Sequence, residues 1–296
     1  MADTKDCDPA SGISQRRNRF RQLHETGCFC IPNPWDAGTA RYLTTLGFPA
    51  LATTSAGFAF SLGLPDTGVP RDAVLDHIRA IVNATTLPVN ADFEAGFGAD
   101  PEHVAESVRL CAETGVAGLS IEDATGEAAA PLFDIGMAVE RMSAARAALD
   151  AAAPDILLTG RAECFLVGHP DPLNEAIRRL TAYAQAGADV LYAPGLKTRD
   201  DIRAVVEAVA PKPVNVLMSA PTGLAAADLA ELGVRRISVG SALARVAWGA
   251  AMRTAEQMAA VGSFAGLAGA VPFATINGLF DASQPAAAAH MHERKP

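Results

Sequence analysis

"LPVNADFEAGFGADPEHVAESVRLCAETGVAGLSIED" (residues 87–123) has the pattern of one strand–helix–strand unit. The apolar runs 87–92 and 116–123 are short and end in acidic residues, as buried strands that deliver polar groups do. The segment between them has Asp100 as a helix start signal and Gly115 as a stop signal. Strands that alternate with helices in this way predict a parallel sheet.

The same pattern recurs along the whole chain of 296 residues. The β-rich apolar runs lie at 28–33, 49–55, 87–92, 116–123, 155–163, 188–194, 213–219 and 235–240. Eight such units in this length favour a closed (β/α)8 barrel of the TIM type over an open doubly wound sheet. We therefore predict a single α/β domain over residues 1–296, with the barrel at about 15–262 and an oligomerisation segment at about 263–296.

Composition excludes several classes of partner. The net charge is −9 and no run of Lys or Arg stands out, which argues against nucleic acid or an anionic membrane as the partner. The apolar stretches are too short to span a bilayer, and residues 1–20 lack the apolar region of a secretory signal. The five cysteines show no zinc-type spacing. These features predict a soluble cytoplasmic protein with a small-molecule ligand.

Polar side chains collect where the predicted strands end, which is where a barrel of this type carries its active site. They are Asn33, Asp36, Thr53, Thr54, Ser55, Asp92, Glu94, Glu122, Asp123, Arg161, Glu163, Tyr192, Asn215, Ser219 and Ser238. Some have structural interpretations: Asp36 as a helix start, Asp123 as a turn residue, and Glu163 as a partner of Arg161.

The acids among these residues indicate a metal site. Asp92 and Glu94 stand two apart, so on a strand they would point the same way, and Glu122 follows the next strand. Clustered carboxylates repel one another unless a cation lies among them, and ligands of oxygen alone suit Mg²⁺, with Mn²⁺ as an alternative. Arg161 offers a fork of donors to a substrate carboxylate or phosphoryl group.

Four motifs carry a resemblance to a known family. The segments 33–66, 90–98 ("NADFEAGFG"), 118–123 ("GLSIED") and 160–168 ("GRAECFLVG") resemble the isocitrate lyase/phosphoenolpyruvate mutase superfamily, over about residues 15–262. The resemblance implies a (β/α)8 barrel whose last helix swaps onto a neighbouring subunit, giving homodimers or homotetramers. It also implies small 2-oxo or 2-hydroxy acids as substrates, bound through Mg²⁺.

The resemblance also suggests roles for single residues. Asp92 matches the principal metal-binding Asp, Glu94 replaces the second Asp of the family's Asp-x-Asp-x-Gly-Tyr-Gly, and Glu122 matches the acid that holds metal-bound water. Asp66 matches a further active-site Asp. The groups that would bind substrate are Thr54, Ser55, Ala56, Arg161, Tyr192 and Asn215. Asp66, Glu94 and Arg161 are the candidate catalytic residues, and Asp66, Glu94 and Tyr192 are alternatives for the group that moves a proton.

One segment departs from the family pattern. The gating loop of isocitrate and methylisocitrate lyases carries Lys-Lys-Cys-Gly-His, and that of the phosphonate enzymes is rich in Lys with an Asn, whereas residues 123–134 ("DATGEAAAPLFD") have none of these. We therefore predict a Mg²⁺-dependent lyase or decarboxylase that works through an enolate, with 124–133 as a lid. The alternatives are a phosphonopyruvate-type P–C bond enzyme and a non-catalytic oxo-acid-binding protein.

The C-terminal region has apolar surface that one barrel cannot cover. Residues 241–262 predict a long apolar helix, and the apolar segment 263–280 follows it. We predict that this region packs on another subunit and buries Trp248 and Phe264 there.

Overall fold

The computed structural model describes residues 9–281 and contains all eight predicted strands. The remainder of the predicted C-terminal segment, residues 282–296, lies outside the described residues. The strands are β1 (Phe29–Ile31), β2 (Leu51–Ala52), β3 (Val89–Asp92), β4 (Gly118–Glu122), β5 (Leu157–Arg161), β6 (Val190–Tyr192), β7 (Val214–Leu217) and β8 (Arg236–Ser238).

The strands form one parallel sheet that curls into a barrel. Their order is β1-β8-β7-β6-β5-β4-β3-β2, so each strand lies beside its neighbour in the chain and β1 also pairs with β8. The seam lies between β1 and β2, where the Ala52 amide donates to the Pro32 carbonyl at 3.1 Å. The predicted (β/α)8 TIM-type barrel is confirmed, and all its strands point their carboxyl ends at one mouth.

Helices separate the strands and cover the outside of the barrel. They are α1 (Pro9–Leu23), α2 (Ala37–Thr45), α3 (Ser55–Ser61), α4 (Arg71–Ala84), α5 (Pro101–Ala112), α6 (Ile135–Ala152), α7 (Pro172–Gln185), α8 (Arg199–Val209), α9 (Ala226–Glu231), α10 (Ala242–Val261) and α11 (Phe273–Leu279), with a 3-10 turn at Ala265–Gly269. Side-chain caps fix several starts. Asp36 accepts from the Thr39 amide at 2.6 Å, and Asp100 accepts from His103 at 3.0 Å. Asp36 therefore starts a helix, which is the structural interpretation given to it from the sequence.

Two apolar clusters stabilise this arrangement. The larger cluster fills the space between the sheet and the outer helices and includes Phe93, which lies fully buried. The smaller cluster lies inside the lower barrel, where Phe20 of α1 packs with Ile31 and Leu157. Helix α1 was not predicted from the sequence; it supplies Phe20, and the turn that follows it supplies His24, to the end of the barrel opposite the mouth.

The C-terminal elements leave apolar side chains exposed in the single chain. The exposed fraction is 49% for Trp248, 65% for Phe264 and 85% for Phe273. These values agree with the sequence argument that one barrel cannot cover this region. Among residues 9–281, no helix is both long and apolar enough to cross a membrane.

Candidate active site

Arg161 is the centre of the barrel mouth. Its Nη1 lies 3.2 Å from Asp92 Oδ1 at the end of β3 and 3.1 Å from Glu122 Oε2 at the end of β4. Its Nε contacts Glu163 Oε1 just beyond its own strand. The register of the sheet explains the convergence, because Glu122 on β4 and Arg161 on β5 are direct neighbours. One guanidinium therefore holds three carboxylates together.

Asp92 is also held from the β2 side of the barrel. Its Oδ2 accepts from the amide of Ser55 at 3.0 Å and from the Ser55 hydroxyl at 3.1 Å. Its own amide donates to Thr53 Oγ1 at 2.9 Å. Ser55 is the first residue of α3, which Thr54 caps by accepting from Gly57 N. The Thr54–Ser55–Ala56 turn thus sits against the predicted metal-binding Asp.

Glu94 does not continue the strand, contrary to the sequence argument. Strand β3 ends at Asp92, and Glu94 has φ 48°, in the left-handed region that is uncommon for residues other than Gly. Its carbonyl accepts from the Glu122 amide at 3.0 Å, which ties the turn to β4. The alternation rule fails here because a turn has begun. Glu94 is buried and still lies among the acids of the mouth.

The carboxyl groups of the mouth are costly to ionise together. Burial, and next the charges of Asp92 and Asp66, raise the pKa of Glu94 to about 7. Burial raises the pKa of Glu122 to about 8 in spite of its contact with Arg161. The pKa of Asp66 is raised by burial and by Asp92. A cluster of this kind favours either shared protons or an added cation.

Most of the predicted site residues line one cavity of about 230 Å³ at the mouth. Eight of the ten lie there, namely Thr54, Ser55, Ala56, Asp66, Asp92, Arg161, Tyr192 and Asn215. The other two, Glu94 and Glu122, line an adjacent opening beside the segment 124–133. The structure thus brings all ten residues to the same end of the barrel.

The donor set fits Mg²⁺ held largely through water. Within residues 9–281, no three His, Cys, Asp or Glu side chains are arranged to ligate one ion directly. The mouth offers only oxygen ligands, and burial first, then the charges of neighbouring acids, raise the pKa values of Glu94 and Glu122. Mg²⁺ keeps several waters and needs only one or two direct carboxylates. Asp92 and the neighbouring acids meet that requirement.

Two acids beside the mouth have structural contacts. Asp123 is buried and accepts from Tyr183 Oη at 2.6 Å, Arg179 Nη1 at 3.1 Å and the Glu163 amide at 2.8 Å. It is therefore an anchor for the β5 loop, which is a stronger role than the turn residue proposed from sequence. Glu163 pairs with Arg161, as its structural interpretation held.

Comparison with known proteins identifies the family. A family model described as phosphoenolpyruvate phosphomutase matches residues 20–259. The chain belongs to this family. The predicted membership of the isocitrate lyase/phosphoenolpyruvate mutase superfamily is confirmed, and with it the prediction that the chain is an enzyme.

Three relatives illustrate the range of this family. A Burkholderia cenocepacia J2315 protein with a provisional lyase/mutase designation is 52% identical, with a TM-score of 0.87, over 92% of this chain and 98% of its own. Oxaloacetate decarboxylase of Bradyrhizobium diazoefficiens is 32% identical over 72% of this chain and 74% of its own. A phosphonopyruvate hydrolase solved with oxalate and Mg²⁺ is 26% identical, with a TM-score of 0.77, over 89% of this chain and 95% of its own.

The segment 124–133 forms a small hairpin beside the mouth of this family member. Ala124 and Leu132 make an isolated antiparallel bridge, and the Phe133 amide donates to the Asp123 carbonyl at 2.9 Å. The tip is exposed and contains Gly126 with φ 80°. The hairpin lines the opening that also contains Glu94 and Glu122. It occupies the place expected for a lid.

Sequence reasoning missed the residues at the floor of the cavity. Arg236 lies on β8 and lines the same cavity as Asp92, together with Asn90. The signal was present in "RRISVG" (235–240), because Arg236 and Ser238 alternate with the apolar Ile237 and must face the barrel interior. Asn215, predicted to bind substrate, also lines the cavity, and its amide accepts from Arg236 Nε at 2.9 Å and donates to Ser238 Oγ at 2.9 Å.

Proposed function

We propose that this protein is a Mg²⁺-dependent enzyme that cleaves a carbon–carbon bond of a small 2-oxo or 2-hydroxy carboxylate through an enolate. The observation that carries the proposal is the convergence of Ser55, Asp66, Asp92 and Arg161 on one cavity at the barrel mouth. The names of the relatives support the substrate class, since they include an enzyme named for oxaloacetate.

The substrate would be held by groups on opposite sides of the cavity. The amide and hydroxyl of Ser55 would donate to the carboxylate of the oxo-acid unit in place of Asp92 Oδ2, which accepts from both in this structure. Arg161 offers its guanidinium to a second oxygen and fixes the direction of the scissile bond. Holding both ends in this way aligns the reacting bond before it breaks.

The cation would be held by Asp92, with Glu94 and Glu122 contacting it directly or through water. When bound, Mg²⁺ would supply a Lewis acid that polarises the substrate carbonyl. The acids of the mouth would ionise more easily once their repulsion is offset.

Cleavage leaves an enolate that must receive a proton. Glu94, with a pKa of about 7, can hold a proton near neutral pH and release it. Asp66 is the alternative, and burial and the charge of Asp92 raise its pKa. Burial raises the pKa of Tyr192 to about 12, so its hydroxyl remains protonated at neutral pH and is unsuited to act as a base. The hairpin 124–133 would exclude water while the enolate exists.

The test is turnover of a panel of oxo- and hydroxy-acids with and without Mg²⁺. Release of pyruvate or CO₂ that depends on Mg²⁺ supports the proposal. Inorganic phosphate released from phosphonopyruvate, followed by phosphorus NMR, would instead assign P–C bond chemistry. Saturable binding by calorimetry with no turnover of any compound would assign a non-catalytic oxo-acid-binding protein.

We propose in addition that the exposed C-terminal face, made of α10, the 3-10 turn and α11, packs on a second copy of the chain in a homodimer or homotetramer. Each 100 Å² of apolar area buried there would contribute about 2.5 kcal/mol. Trp248 and Phe264 would become buried in the assembly. Light scattering at micromolar concentration is the test, and a monodisperse monomer contradicts this proposal.

A further inference from the structure

Arg236 carries a buried positive charge at the floor of the active-site cavity. Only 3% of the surface of Arg236 is exposed. Its Nε donates to Asn215 Oδ1 at 2.9 Å and its Nη2 donates to Thr159 Oγ1 at 3.1 Å. Its Nη1 makes only two long contacts, 3.4 Å to Asn90 Oδ1 and 3.5 Å to His24 Nε2. The contacts of Nη1 are therefore longer than those of Nε and Nη2.

Every one of these partners is uncharged. Asn215, Thr159 and Asn90 are neutral, and His24 is neutral at physiological pH because burial, and next the charge of Arg236, lower its pKa to about 3. Within the described part of the chain, no carboxylate forms an ion pair with Arg236, whereas three contact Arg161. A buried charge without a counter-ion costs free energy. The Arg236 guanidinium is such a charge, because no side chain in the described barrel neutralises it.

The floor is open to the cavity that contains Ser55 and Asp92. Arg236, Asn90 and Ser238 line that cavity together with them. Asn90 and Thr159 precede Asp92 and Arg161 by two residues on their strands, so the guanidinium of Arg236 lies roughly 6.6 Å deeper, at about 3.3 Å per residue. A four-carbon acid with a carboxylate at each end spans such a separation.

We infer that Arg236 is the cationic centre of a second anion subsite, at the cavity floor, that takes the distal carboxylate of a dicarboxylate ligand. The acidic mouth and the uncompensated floor then bind different parts of one molecule. Asn90 and Ser238 would add neutral polar contacts around the carboxylate. That this ligand is the substrate rests on the proposed function, while the anion site itself does not.

The experiment compares succinate with butyrate, which has the same number of carbons and one carboxylate fewer. Neither compound is an oxo-acid, so calorimetry measures binding without turnover, in Mg²⁺ and separately in EDTA. The variants are Arg236→Gln and, as a control, Arg235→Gln, since Arg235 precedes Arg236 in the chain and donates to the exposed Gly27 carbonyl at 2.7 Å, away from the cavity.

We expect the wild type to bind succinate saturably in Mg²⁺ and Arg236→Gln to bind it at least tenfold more weakly. Arg235→Gln should retain wild-type succinate affinity, and butyrate binding should be equal in all three proteins. Failure of the wild type to bind succinate, equal succinate affinity in wild type and Arg236→Gln, or equal losses for succinate and butyrate would overturn the inference. If the wild type turns over no oxo-acid but binds succinate as expected, only the proposed reaction is overturned.

A second measurement on the wild type covers the case in which Arg236→Gln does not fold. Crystals soaked in bromide should show an anomalous peak within hydrogen-bond distance of the Arg236 guanidinium, and succinate should displace it. No peak at Arg236 overturns the subsite. A peak that succinate does not displace assigns the floor to a free inorganic anion and overturns the dicarboxylate assignment.

Discussion

Arg161 lies partly buried at the mouth of the barrel and Arg236 lies buried at its floor, and they differ in what surrounds their charge. Arg161 at the mouth contacts the carboxylates of Asp92, Glu122 and Glu163. Arg236 at the floor contacts amides, a hydroxyl and a neutral imidazole. Depth in the barrel therefore separates an acidic level, which attracts a cation, from a level with excess positive charge, which attracts an anion.

The difference gives each level its own chemistry. At the mouth, acids outnumber the one guanidinium, so charge can be rebalanced by protons or by a metal ion. At the floor, the partners of Arg236 cannot ionise near neutral pH, so the charge stays fixed. A substrate that carries both an oxo-acid head and a distal anion would complement both levels at once.

Removing the principal acid of the mouth should give the largest effect. Asp92→Ala should lower Mg²⁺-dependent turnover at least a thousandfold and abolish stabilisation by Mg²⁺. The metal-free protein should lose little stability, because Arg161 keeps Glu122 and Glu163 as partners while one repelling charge disappears. Thermal melts with and without Mg²⁺ test this, with Asp76→Ala on the exposed face of α4 as the control. Equal Mg²⁺ stabilisation of Asp92→Ala and wild type would show that the metal site is elsewhere.

Replacing Arg161 and Arg236 in turn should lower the stability of the protein by amounts that depend on pH for Arg161 and not for Arg236. Arg161→Gln leaves buried acids unpaired and should cost about 3 to 5 kcal/mol, whereas Arg236→Gln should cost about 1 to 3 kcal/mol. Glu94 and Glu122 have folded-state pKa values of about 7 and about 8, raised from 4.5. The stability that these two groups contribute is therefore complete below pH 4.5 and is lost as the pH rises from there through the folded-state values.

Arg161→Gln should steepen that loss between pH 7 and pH 9, because it removes the cation that favours the ionised carboxylates. Arg236→Gln should cost the same at both pH values, since its partners do not titrate there. Urea unfolding of the three proteins at the two pH values is the measurement. A penalty for Arg236→Gln that grows with pH would mean that an acid neutralises the floor after all.

The contribution of His24, a neutral partner of Arg236, to stability should change with pH below 6.5. Its folded-state pKa is lowered to about 3 from 6.5, so the unfolded chain takes up the proton first as pH falls. The contribution to stability is complete above 6.5 and is lost towards pH 3, at up to about 1.4 kcal/mol per pH unit. His24→Gln should therefore lose less stability than wild type between pH 6.5 and 4.5 in urea unfolding. His169→Gln, in an exposed loop, should keep the wild-type slope; an unchanged slope in His24→Gln contradicts the argument.

The sequence predicted the barrel and its mouth because both depend on local patterns. Strand runs, helix caps and the position just after a strand are visible in one dimension, so Asp92, Glu122 and Arg161 could be placed at one end of the barrel in advance. The alternation rule also predicts that Phe93 faces the helices, and it lies fully buried there.

The contacts at the floor of the cavity could not be predicted in the same way. The contacts of Arg236 join β8 to β3, β5, β7 and α1, and they depend on how the closed sheet staggers its strands. Glu94 was misplaced because its left-handed backbone ends the strand at a residue that is neither Gly nor Asn. Helix α1 was missed because its contacts, such as the packing of Phe20 and the Arg17 hydrogen bond to the Val116 carbonyl, form only once the barrel exists.

The smallest expected effect concerns the hairpin above the mouth. Glu127 is exposed at its tip, and only its backbone is engaged, the amide donating to Thr125 Oγ1 at 3.0 Å and the carbonyl accepting from Ala130 at 3.2 Å. Glu127→Ala should therefore change the free energy of unfolding by less than about 0.5 kcal/mol. If the hairpin is a lid, turnover or substrate preference should change more than stability, since closure affects only the bound state. Melting curves and kinetics over the oxo-acid panel measure the two effects. A large loss of stability with unchanged kinetics would show that residues 124–133 are fixed structure and that the mouth lacks a moving lid.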